Sequence, residues 1–194
     1  MNFSATVIGV DEAGRGPIAG PVVVGAVRLP RMIAGLNDSK QLTPAQRAAL
    51  RTEIESEAQW AVVFVEVTEI DRHNILQATF RGMERAVAQL ALDNPVLIDG
   101  NQIPPGLLGR STAVVKGDAH EAAIAAASIL AKEHRDEHMI RLHDEFPAYG
   151  FDQHFGYFTP EHRAALMEHG PCAIHRRSFE PVQTMLLQPC LMLD

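Results

Sequence analysis

The sequence predicts an α/β protein in which helices flank a mixed sheet, followed by a C-terminal extension of helices and loops. Apolar or β-branched runs alternate with helical patterns in the order β-β-α-β-α-β-β-α up to residue 146. Beyond that point the composition changes to segments rich in Gly, Phe, His and Pro. Several of the predicted strands also end in acidic residues. We therefore predict one domain over residues 1–146 and an extension over residues 147–194 that packs on it.

The first two strands are predicted on either side of a glycine-containing turn. An apolar run over residues 5–10 leads directly into Asp11 and Glu12, and the turn Gly-Arg-Gly at residues 14–16 follows. A β-branched run over residues 21–27 has the pattern of a second strand. Because only a short segment separates the two runs, we expect them to form a hairpin.

The helices are predicted from capping signals and from the spacing of apolar residues. Thr43 at the N-cap, Pro44 at the first helical position and Gln46 two residues later predict a helix that runs to about Glu57. Apolar residues spaced by three and four predict one long helix over residues 70–92. The remaining predicted elements are strands over residues 60–67, 95–98 and 112–115, an alanine-rich helix that ends near Glu145, and a short helix between Thr159 and Gly170.

Composition narrows the classes of protein that fit. The chain has 194 residues, a net charge of −7 and a pI near 5.7, which argues against a generic DNA-coating protein. It has no apolar run near the roughly 18 residues that span a bilayer, and its first residues lack the basic segment of a signal peptide. Cys172 and Cys190 show no metal-type spacing, so we expect free thiols in a cytoplasmic, monomeric protein.

Three of the predicted strands are followed by carboxylates. Asp11 and Glu12 follow the first strand, Asp99 follows the fourth, and Asp118 lies just beyond the fifth. Adjacent carboxylates repel each other unless a cation or a proton lies between them. Ligand sites in open α/β sheets lie outside strand ends, and Mg²⁺ prefers oxygen ligands. The four acids therefore predict a site for one or two Mg²⁺ ions, which would suit hydrolysis of a phosphodiester.

The turn beside the acid pair has features of a phosphate site. Gly14 and Gly16 allow backbone N–H groups to approach a ligand closely, and Arg15 carries a fork of donors suited to phosphate. A metal on one side and a nucleic-acid or nucleotide backbone on the other is the chemistry that this segment indicates. The candidate donors to phosphate are Arg15, Lys40, Lys116 and Lys132.

Each acid beyond the first pair also has an ordinary structural explanation. Asp118 with Glu121 three residues later fits a capping box for the alanine-rich helix. Asp99 before a glycine fits a turn. Ser128 and Lys132 lie one helical turn apart, which also fits a buried serine beside a solvated lysine.

Two motifs in the chain match known patterns only formally. Residues 14–19 match the dinucleotide fingerprint, but that fingerprint must open a helix, and residues 21–27 have the pattern of a strand. Residues 134–138 match the zinc-protease pattern H-x-x-E-H, but the stretch is highly charged and no third ligand can be identified. A solvated helix face is the better interpretation of the second motif.

The motifs taken together resemble the bacterial ribonuclease HII family over nearly the whole chain. None of them is specific alone, but their order is. The matching segments are residues 9–17, 36–40, 97–101, 116–118, 126–132, 135–136, 149–151, His154, 156–157 and 175–179.

The resemblance implies a ribonuclease H-like fold and a Mg²⁺- or Mn²⁺-dependent endoribonuclease. It implies that the enzyme cleaves the RNA strand of RNA–DNA hybrids and incises at single ribonucleotides in duplex DNA, leaving a 3′-hydroxyl and a 5′-phosphate. The implied metal-binding catalytic acids are Asp11, Glu12, Asp99 and Asp118. The implied contacts to the ribose 2′-hydroxyl and its phosphate are Gly14, Arg15 and Gly16, with Tyr157 stacked on the sugar beyond the scissile bond and with Lys40, Ser128 and Lys132 on phosphates.

Two positions depart from the family pattern. Phe158 stands where the family usually has proline, and Gln41 stands where a second lysine is common. Neither position is one of the four acids.

Two other classes of function remain as rivals. A module that binds hybrid or nucleotide without cutting would favour neutral or basic groups near phosphate rather than four acids. A dinucleotide-dependent oxidoreductase requires residues 21–27 to form a helix.

Overall fold

A five-stranded mixed sheet is the centre of the protein in the computed structural model, which describes residues 1–187. The strands are β1 (Ile8–Ala13), β2 (Val22–Arg28), β3 (Gln59–Val65), β4 (Val96–Asp99) and β5 (Ser111–Val114). Their order in the sheet is β3-β2-β1-β4-β5. The β1–β2 and β2–β3 pairs are antiparallel, whereas β1–β4 and β4–β5 are parallel. The predicted mixed sheet is confirmed, and the predicted free thiol of Cys190 lies outside the described residues.

Eight helices flank the sheet or follow it in the described part of the chain. They are α1 (Pro44–Glu57), α2 (Val67–His73), α3 (Ile75–Leu90), α4 (Gly117–His120), α5 (Ala122–Glu145), α6 (Phe151–His154), α7 (Pro160–His169) and α8 (Val182–Leu187). The capping box of α1 is present, because the Thr43 side chain accepts from the Gln46 N–H and the Gln46 side chain accepts from the Thr43 N–H. Within residues 1–187, every helix is too short or too polar to span a bilayer.

The prediction of one continuous helix over residues 70–92 is wrong. Two helices, α2 and α3, occupy this region and meet at Asn74, whose φ is 64°. The Asn74 side chain accepts hydrogen bonds from the N–H groups of Leu76 and Gln77, so it caps α3. The apolar spacing continues across the break, which is why the pattern alone did not show it.

The sheet is buried on both faces, each by a different set of helices. One core joins β1, β2, β3 and β4 to α2 and α3 through residues such as Val22, Val24 and Met83. A second core joins β2 and the chain after it to α1 and α5 through residues such as Val27, Leu50 and Ile129. The nearly continuous apolar runs of the central strands follow from this burial on both faces.

Close contact between α5 and the sheet depends on small residues on both sides. A Cβ atom at Gly9 of β1 would collide with the backbone carbonyl of Ala123, and one at Gly25 of β2 would collide with the carbonyl of Ala127. The alanine-rich N-terminal half of α5 is buried against these strands. This packing fixes the distance between α5 and the strand that carries the acid pair.

We expect Gly9→Ala to destabilise the protein by about 3 kcal/mol or to prevent folding, since the backbone of α5 cannot move aside without disturbing the core. Chemical denaturation measures the change. Gly109→Ala is the matched control, because Gly109 has a φ of 85° and open space around its Cα. Its cost should be about 1 kcal/mol. Equal losses for the two variants would contradict the close packing of α5.

The chain beyond α5 returns to the loop that joins β1 to β2. Ala19 in that loop packs with Met139 of α5 and with Phe151 of α6, and Ile18 packs with Leu166 of α7 and Val182 of α8. The β1–β2 loop is therefore held between α5 and the C-terminal helices. The division into a domain of residues 1–146 and an extension stays a prediction.

Candidate active site

The acid pair lies inside β1 rather than beyond its end. Asp11 pairs with Gly25 of β2, and Glu12 pairs with Val24. The prediction that the strand stops before the acids is therefore wrong. The parallel pairing of β1 with β4 ends at Val10, which lies opposite Ile98, so Asp11 and Glu12 lie just beyond the paired part. Their pairing with β2 keeps both acids in extended conformation.

The parallel strands bring the other acids to the same edge of the sheet. Asp99 is the last residue of β4, and Asp118 lies in the short helix α4 that follows β5. All four acids line one cleft of about 410 Å³. The other residues around it are Ala13, Gly14, Arg15, Gly16, Ser39, Lys40, Ser128, Lys132, Arg135 and Tyr157.

Asp118 does not cap the alanine-rich helix. The N-cap of α5 is Glu121, which makes no side-chain capping bond, and Asp118 lies in the first turn of α4. The capping-box interpretation of Asp118 and Glu121 is therefore wrong. Glu121 instead accepts a hydrogen bond from the side chain of Asn2 at 2.7 Å. The carboxylate of Asp118 is left facing the cleft.

The acids raise one another's pKa values. Burial is the largest cause of the raised pKa of Asp11, and the nearby charges of Glu12 and Asp99 raise it further. Burial also raises the pKa of Glu12 against the opposing effect of Arg15, whose Nη1 lies 3.3 Å from Glu12 Oε1. Burial and then Asp99 raise the pKa of Asp118. A cation in the cleft would relieve this repulsion.

The donor set fits a hard divalent cation. It consists of carboxylate oxygens, and Glu12 Oε2 is buried with no hydrogen-bond partner among residues 1–187. Asp99 Oδ1 accepts from the Gly117 N–H at 2.7 Å, and Asp11 Oδ1 accepts from the Glu12 N–H at 2.7 Å, so one oxygen of each is held by backbone. In the described residues no three His, Cys, Asp or Glu side chains are close enough to hold a metal ion by themselves. The acids thus line an open cleft, as suits an ion that keeps several waters.

Asp11 should make the metal-free protein less stable as pH rises. Its pKa in the folded state is raised above the ordinary value of 3.8, so the folded protein binds the proton more tightly than the unfolded chain. The unfolding free energy contributed by this group therefore falls as pH increases through the raised pKa. We expect the stability of Asp11→Asn relative to wild type to grow from pH 4 to pH 8 in chelator, and Mg²⁺ to reduce that difference. A difference independent of both pH and Mg²⁺ would contradict the raised pKa.

A buried arginine binds the backbone carbonyl groups of the glycine-arginine-glycine turn. Arg176 is fully buried, and its guanidinium donates to the carbonyl oxygens of Gly14 at 2.6 Å, Arg15 at 2.8 Å and Gly20 at 2.9 and 3.0 Å. In a trans peptide the N–H points opposite to the carbonyl of the same plane. With the carbonyls of Gly14 and Arg15 turned inward, the N–H groups of Arg15 and Gly16 point away from Arg176.

A second buried arginine supports the same turn from α5. Arg135 donates to the carbonyl oxygens of Pro21 at 3.0 Å, Ala19 at 3.3 Å and Phe155 at 3.0 Å. Gly14 has a φ of 92°, and a Cβ atom there would collide with the guanidinium of Arg135. Burial lowers the pKa of Arg135 to about 10 and, with the charge of Arg135, that of Arg176 to about 9. Two buried positive charges therefore lie behind the turn.

Sequence reasoning assigned no role to Arg135 or Arg176. Both belong to segments that carry the family resemblance, but nothing local distinguishes them from exposed arginines. Their acceptors are backbone carbonyls up to 162 residues away, and such partners leave no pattern in the sequence. The usable signal is the number of glycines in residues 14–20, whose free carbonyl groups need donors once they are buried.

The candidate phosphate donors do not all face the cleft. Arg15 and Lys40 line it, whereas Lys116 is exposed and is not among the lining residues. Lys132 lines it but is paired with Asp136 at 2.7 Å, so the prediction of a simply solvated lysine is wrong. Ser128 is buried, and its hydroxyl lies 2.9 Å from that of Ser39.

Tyr157 lies on the opposite rim of the cleft, close to the turn. Its ring is 47% exposed, and a Cβ atom at Gly16 would lie 3.7 Å from its Cε1. Phe158 is equally exposed but points away from the cleft, toward Arg163 and Met167 of α7. Gln41 is not among the residues that line the cleft.

The two formal motif matches have other structural explanations. Residues 22–28 form β2, so the turn at residues 14–16 does not open a helix and the dinucleotide fingerprint is excluded. His134 lies 2.9 Å from Glu55, and the ring of His138 packs on Phe64 at 5.0 Å between centroids. These two histidines therefore belong to contacts between α5 and its neighbours, and the interpretation of this stretch as a solvated helix face is wrong.

Comparison with known proteins assigns this chain to a family. The family model for ribonuclease HII matches residues 8–182. A ribonuclease HII of Xylella fastidiosa is 54% identical over 189 residues, covering 94% of this chain and 80% of the relative. One from Halorhodospira halophila is 54% identical over 184 residues, covering 93% of this chain and 94% of the relative.

A solved structure agrees with the sequence comparison. The ribonuclease H2 of Pyrococcus horikoshii superposes with a TM-score of 0.77 at 28% identity, covering 92% of this chain and 96% of the other. The mixed sheet and its flanking helices are thus the ribonuclease H fold. The family match extends over all four acids and over the segment that carries Arg176. The chain therefore belongs to the ribonuclease HII family, and its enzymatic class is that of a ribonuclease H.

Proposed function

We propose that the cleft hydrolyses the RNA strand of RNA–DNA hybrids and incises at single ribonucleotides in duplex DNA. The products are a 3′-hydroxyl and a 5′-phosphate. The observation that carries the proposal is that four carboxylates and a turn with outward-pointing N–H groups line the same cleft. Metal-binding acids beside a reader of the sugar are what a ribonucleotide-specific nuclease needs.

Asp11, Glu12, Asp99 and Asp118 would hold Mg²⁺ or Mn²⁺ in this cleft. When bound, such an ion supplies an activated water and stabilises charge on the leaving oxygen. The protein keeps the acids in place through β1, β4 and α4, and the backbone N–H groups of Glu12 and Gly117 orient Asp11 and Asp99. Glu12 Oε2, which is buried without a hydrogen-bond partner among residues 1–187, would gain a partner in a bound cation.

The turn at residues 14–16 would distinguish RNA from DNA. Only the 2′-hydroxyl differs between the two at a given nucleotide, and it both donates and accepts. The N–H groups of Arg15 and Gly16 point away from Arg176 because their peptide carbonyls are bound to it. These N–H groups and the Arg15 side chain are suited to contact the hydroxyl and its phosphate, while Gly14 leaves room for the Arg135 side chain behind the turn.

The rest of the substrate would contact both sides of the cleft. Tyr157, which lines the cleft, would stack on the sugar beyond the scissile bond, and it would belong to an extension that begins at residue 147. Lys40, Ser128 and Lys132 would hold phosphates of the cleaved strand. Lys116, which lies outside the cleft, would contact phosphate only beyond it. The substrates and partners proposed are thus RNA–DNA hybrid and ribonucleotide-containing duplex DNA, for an enzyme acting as a monomer.

Cleavage of a duplex with one embedded ribonucleotide tests the proposal. We expect incision on its 5′ side in Mg²⁺ or Mn²⁺, cleavage of a continuous hybrid, and none of an all-DNA duplex of the same sequence. Chelator should abolish both activities. Binding of the ribonucleotide duplex without any incision in either metal would favour the non-cutting module. Cleavage of the hybrid alone would contradict the proposed reading of a single 2′-hydroxyl.

A further inference from the structure

The Tyr157 segment rests on three buried histidines that the proposed chemistry does not use. His162 of α7 and His175 are fully buried, and His154 of α6 is nearly so. The rings of His154 and His162 stack with centroids 4.3 Å apart. His162 Nδ1 lies 2.9 Å from the carbonyl oxygen of Tyr157, and His162 Nε2 lies 3.0 Å from His175 Nε2. A buried chain of side chains thus ends on the backbone of Tyr157.

The hydrogen bonds in this chain run in only one direction. The Tyr157 carbonyl can only accept, so His162 carries its proton on Nδ1 and its Nε2 is an acceptor. His175 must then carry its proton on Nε2 in order to donate to His162. His175 Nδ1 is left as an acceptor, and the Cys172 N–H donates to it at 3.0 Å. Each ring therefore has one defined neutral tautomer.

Both rings must stay neutral for the chain to hold. A second proton on either ring would place two N–H groups against each other, or an N–H against the Cys172 N–H. Burial is the main cause that lowers the pKa of His162 and of His175 to about 4. The titratable side chains in contact with the pair are His154, Tyr149 and Cys172, and none of them is a carboxylate.

We propose that His162 and His175 are positioning residues that set the place of Tyr157 at the rim of the cleft. They act through the one-way chain from the Cys172 N–H to the Tyr157 carbonyl. His154 supports the same segment, since its Nδ1 accepts from the Gly156 N–H at 3.2 Å and its Nε2 donates to the Tyr149 carbonyl at 2.8 Å. The proposal rests on the proposed contact of Tyr157 with substrate.

Nitrogen NMR of the wild-type protein tests the chain without a variant. In the ¹⁵N-imidazole spectrum at pH 7, we expect His162 as the Nδ1–H tautomer and both His175 and His154 as the Nε2–H tautomer. The rings of His162 and His175 should stay neutral down to about pH 5, as their lowered pKa values imply. A charged ring at pH 7, or the opposite tautomer at His162, would overturn the proposal.

A double-mutant cycle tests whether the chain acts through Tyr157. We expect His162→Phe to lower kcat/KM on the single-ribonucleotide duplex about tenfold, since the Tyr157 carbonyl loses its side-chain donor and keeps only the Thr159 N–H at 2.9 Å. His162→Asn, whose amide can still donate from the position of Nδ1, should stay within about threefold of wild type. In a Tyr157→Ala background, His162→Phe should cause no further loss of cleavage while it still lowers the melting temperature. His169→Asn, an exposed histidine of the same helix, is the matched control.

The outcomes distinguish the proposed contact of Tyr157 with substrate from the proposed positioning role of the histidines. If Tyr157→Ala cleaves like wild type, Tyr157 has no substrate role and the positioning proposal fails with it. If Tyr157→Ala loses activity but His162→Phe lowers it further by the same tenfold factor, the histidines act elsewhere and only the positioning proposal fails. If His162→Phe does not fold, the tautomers measured by nitrogen NMR in the wild-type protein give the test, and the opposite tautomer at His162 overturns the proposal.

Discussion

Asp11→Asn should lower metal-dependent cleavage at least about a thousandfold while the protein stays folded. Asp11 lies between Glu12 and Asp99 in the acid cluster, and its charge would be a principal attraction for a divalent cation. A bound metal ion contributes several kcal/mol of transition-state stabilisation, and about 4 kcal/mol corresponds to a thousandfold change in rate. Asparagine keeps the oxygen that accepts from the Glu12 N–H, and it removes a buried charge. Initial rates on a hybrid in saturating Mg²⁺, with circular dichroism, measure both effects.

Asp93→Asn is the matched control for this substitution. Asp93 is fully exposed and lies 3.8 Å from Arg110, far from any role in the cleft. Its cleavage rate should equal that of wild type. A rate for Asp11→Asn within tenfold of wild type, in a protein that melts at or above the wild-type temperature, would show that Asp11 is not a catalytic metal ligand.

Arg176→Lys should reduce cleavage at a single ribonucleotide about a hundredfold and destabilise the protein by about 3 kcal/mol. The guanidinium of Arg176 binds three carbonyl oxygens in one plane, and an ammonium cannot reach all three. Buried carbonyls without donors account for the lost stability. The peptides of the turn are then free to rotate, so the Arg15 and Gly16 N–H groups lose their fixed direction. The rate effect corresponds to the loss of preorganised donors at a reacting group.

The control for Arg176→Lys is the same substitution at its exposed neighbour, Arg177→Lys. Cleavage of the single-ribonucleotide duplex and of an all-DNA duplex, together with urea denaturation, gives the comparison. If Arg176→Lys is destabilised but cleaves at the wild-type rate at a temperature where it is folded, then Arg176 supports the fold without directing the turn.

The elements that the sequence predicted well are those with local chemical signals. The Thr43 and Gln46 capping box marked the start of α1, and Thr159 with Gly170 marked both ends of α7. The strands β2 and β4 follow from β-branched and apolar runs that must be buried. The prediction of the helices failed where the structure depends on the backbone conformation of one residue, which the composition of the segment does not reveal. Asn74 takes a positive φ and interrupts an apolar pattern that continues on both sides.

The candidate site likewise has residues that the sequence predicted and residues that it did not. The convergence of Asp11, Asp99 and Asp118 was predictable because parallel strands end at one edge of a sheet. The interpretation of Asp118 as a helix cap was wrong because the chain inserts α4 before α5, which a capping pattern does not reveal. The buried arginines were missed because their acceptors are backbone carbonyls that are distant in sequence.

The sequence by itself determined the α/β class, the four acids with their glycine turn, and the resemblance to the ribonuclease HII family. These features depend on residue types and on local sequence patterns. Hydrophobic burial and the direction of the strands are enough to relate such patterns to the structure. Only the tertiary structure decided which way the turn faces, since Arg176 reaches it from the C-terminal segment and binds its carbonyls. It also decided what supports Tyr157, because imidazole tautomers are selected by partners that meet only when the chain is folded.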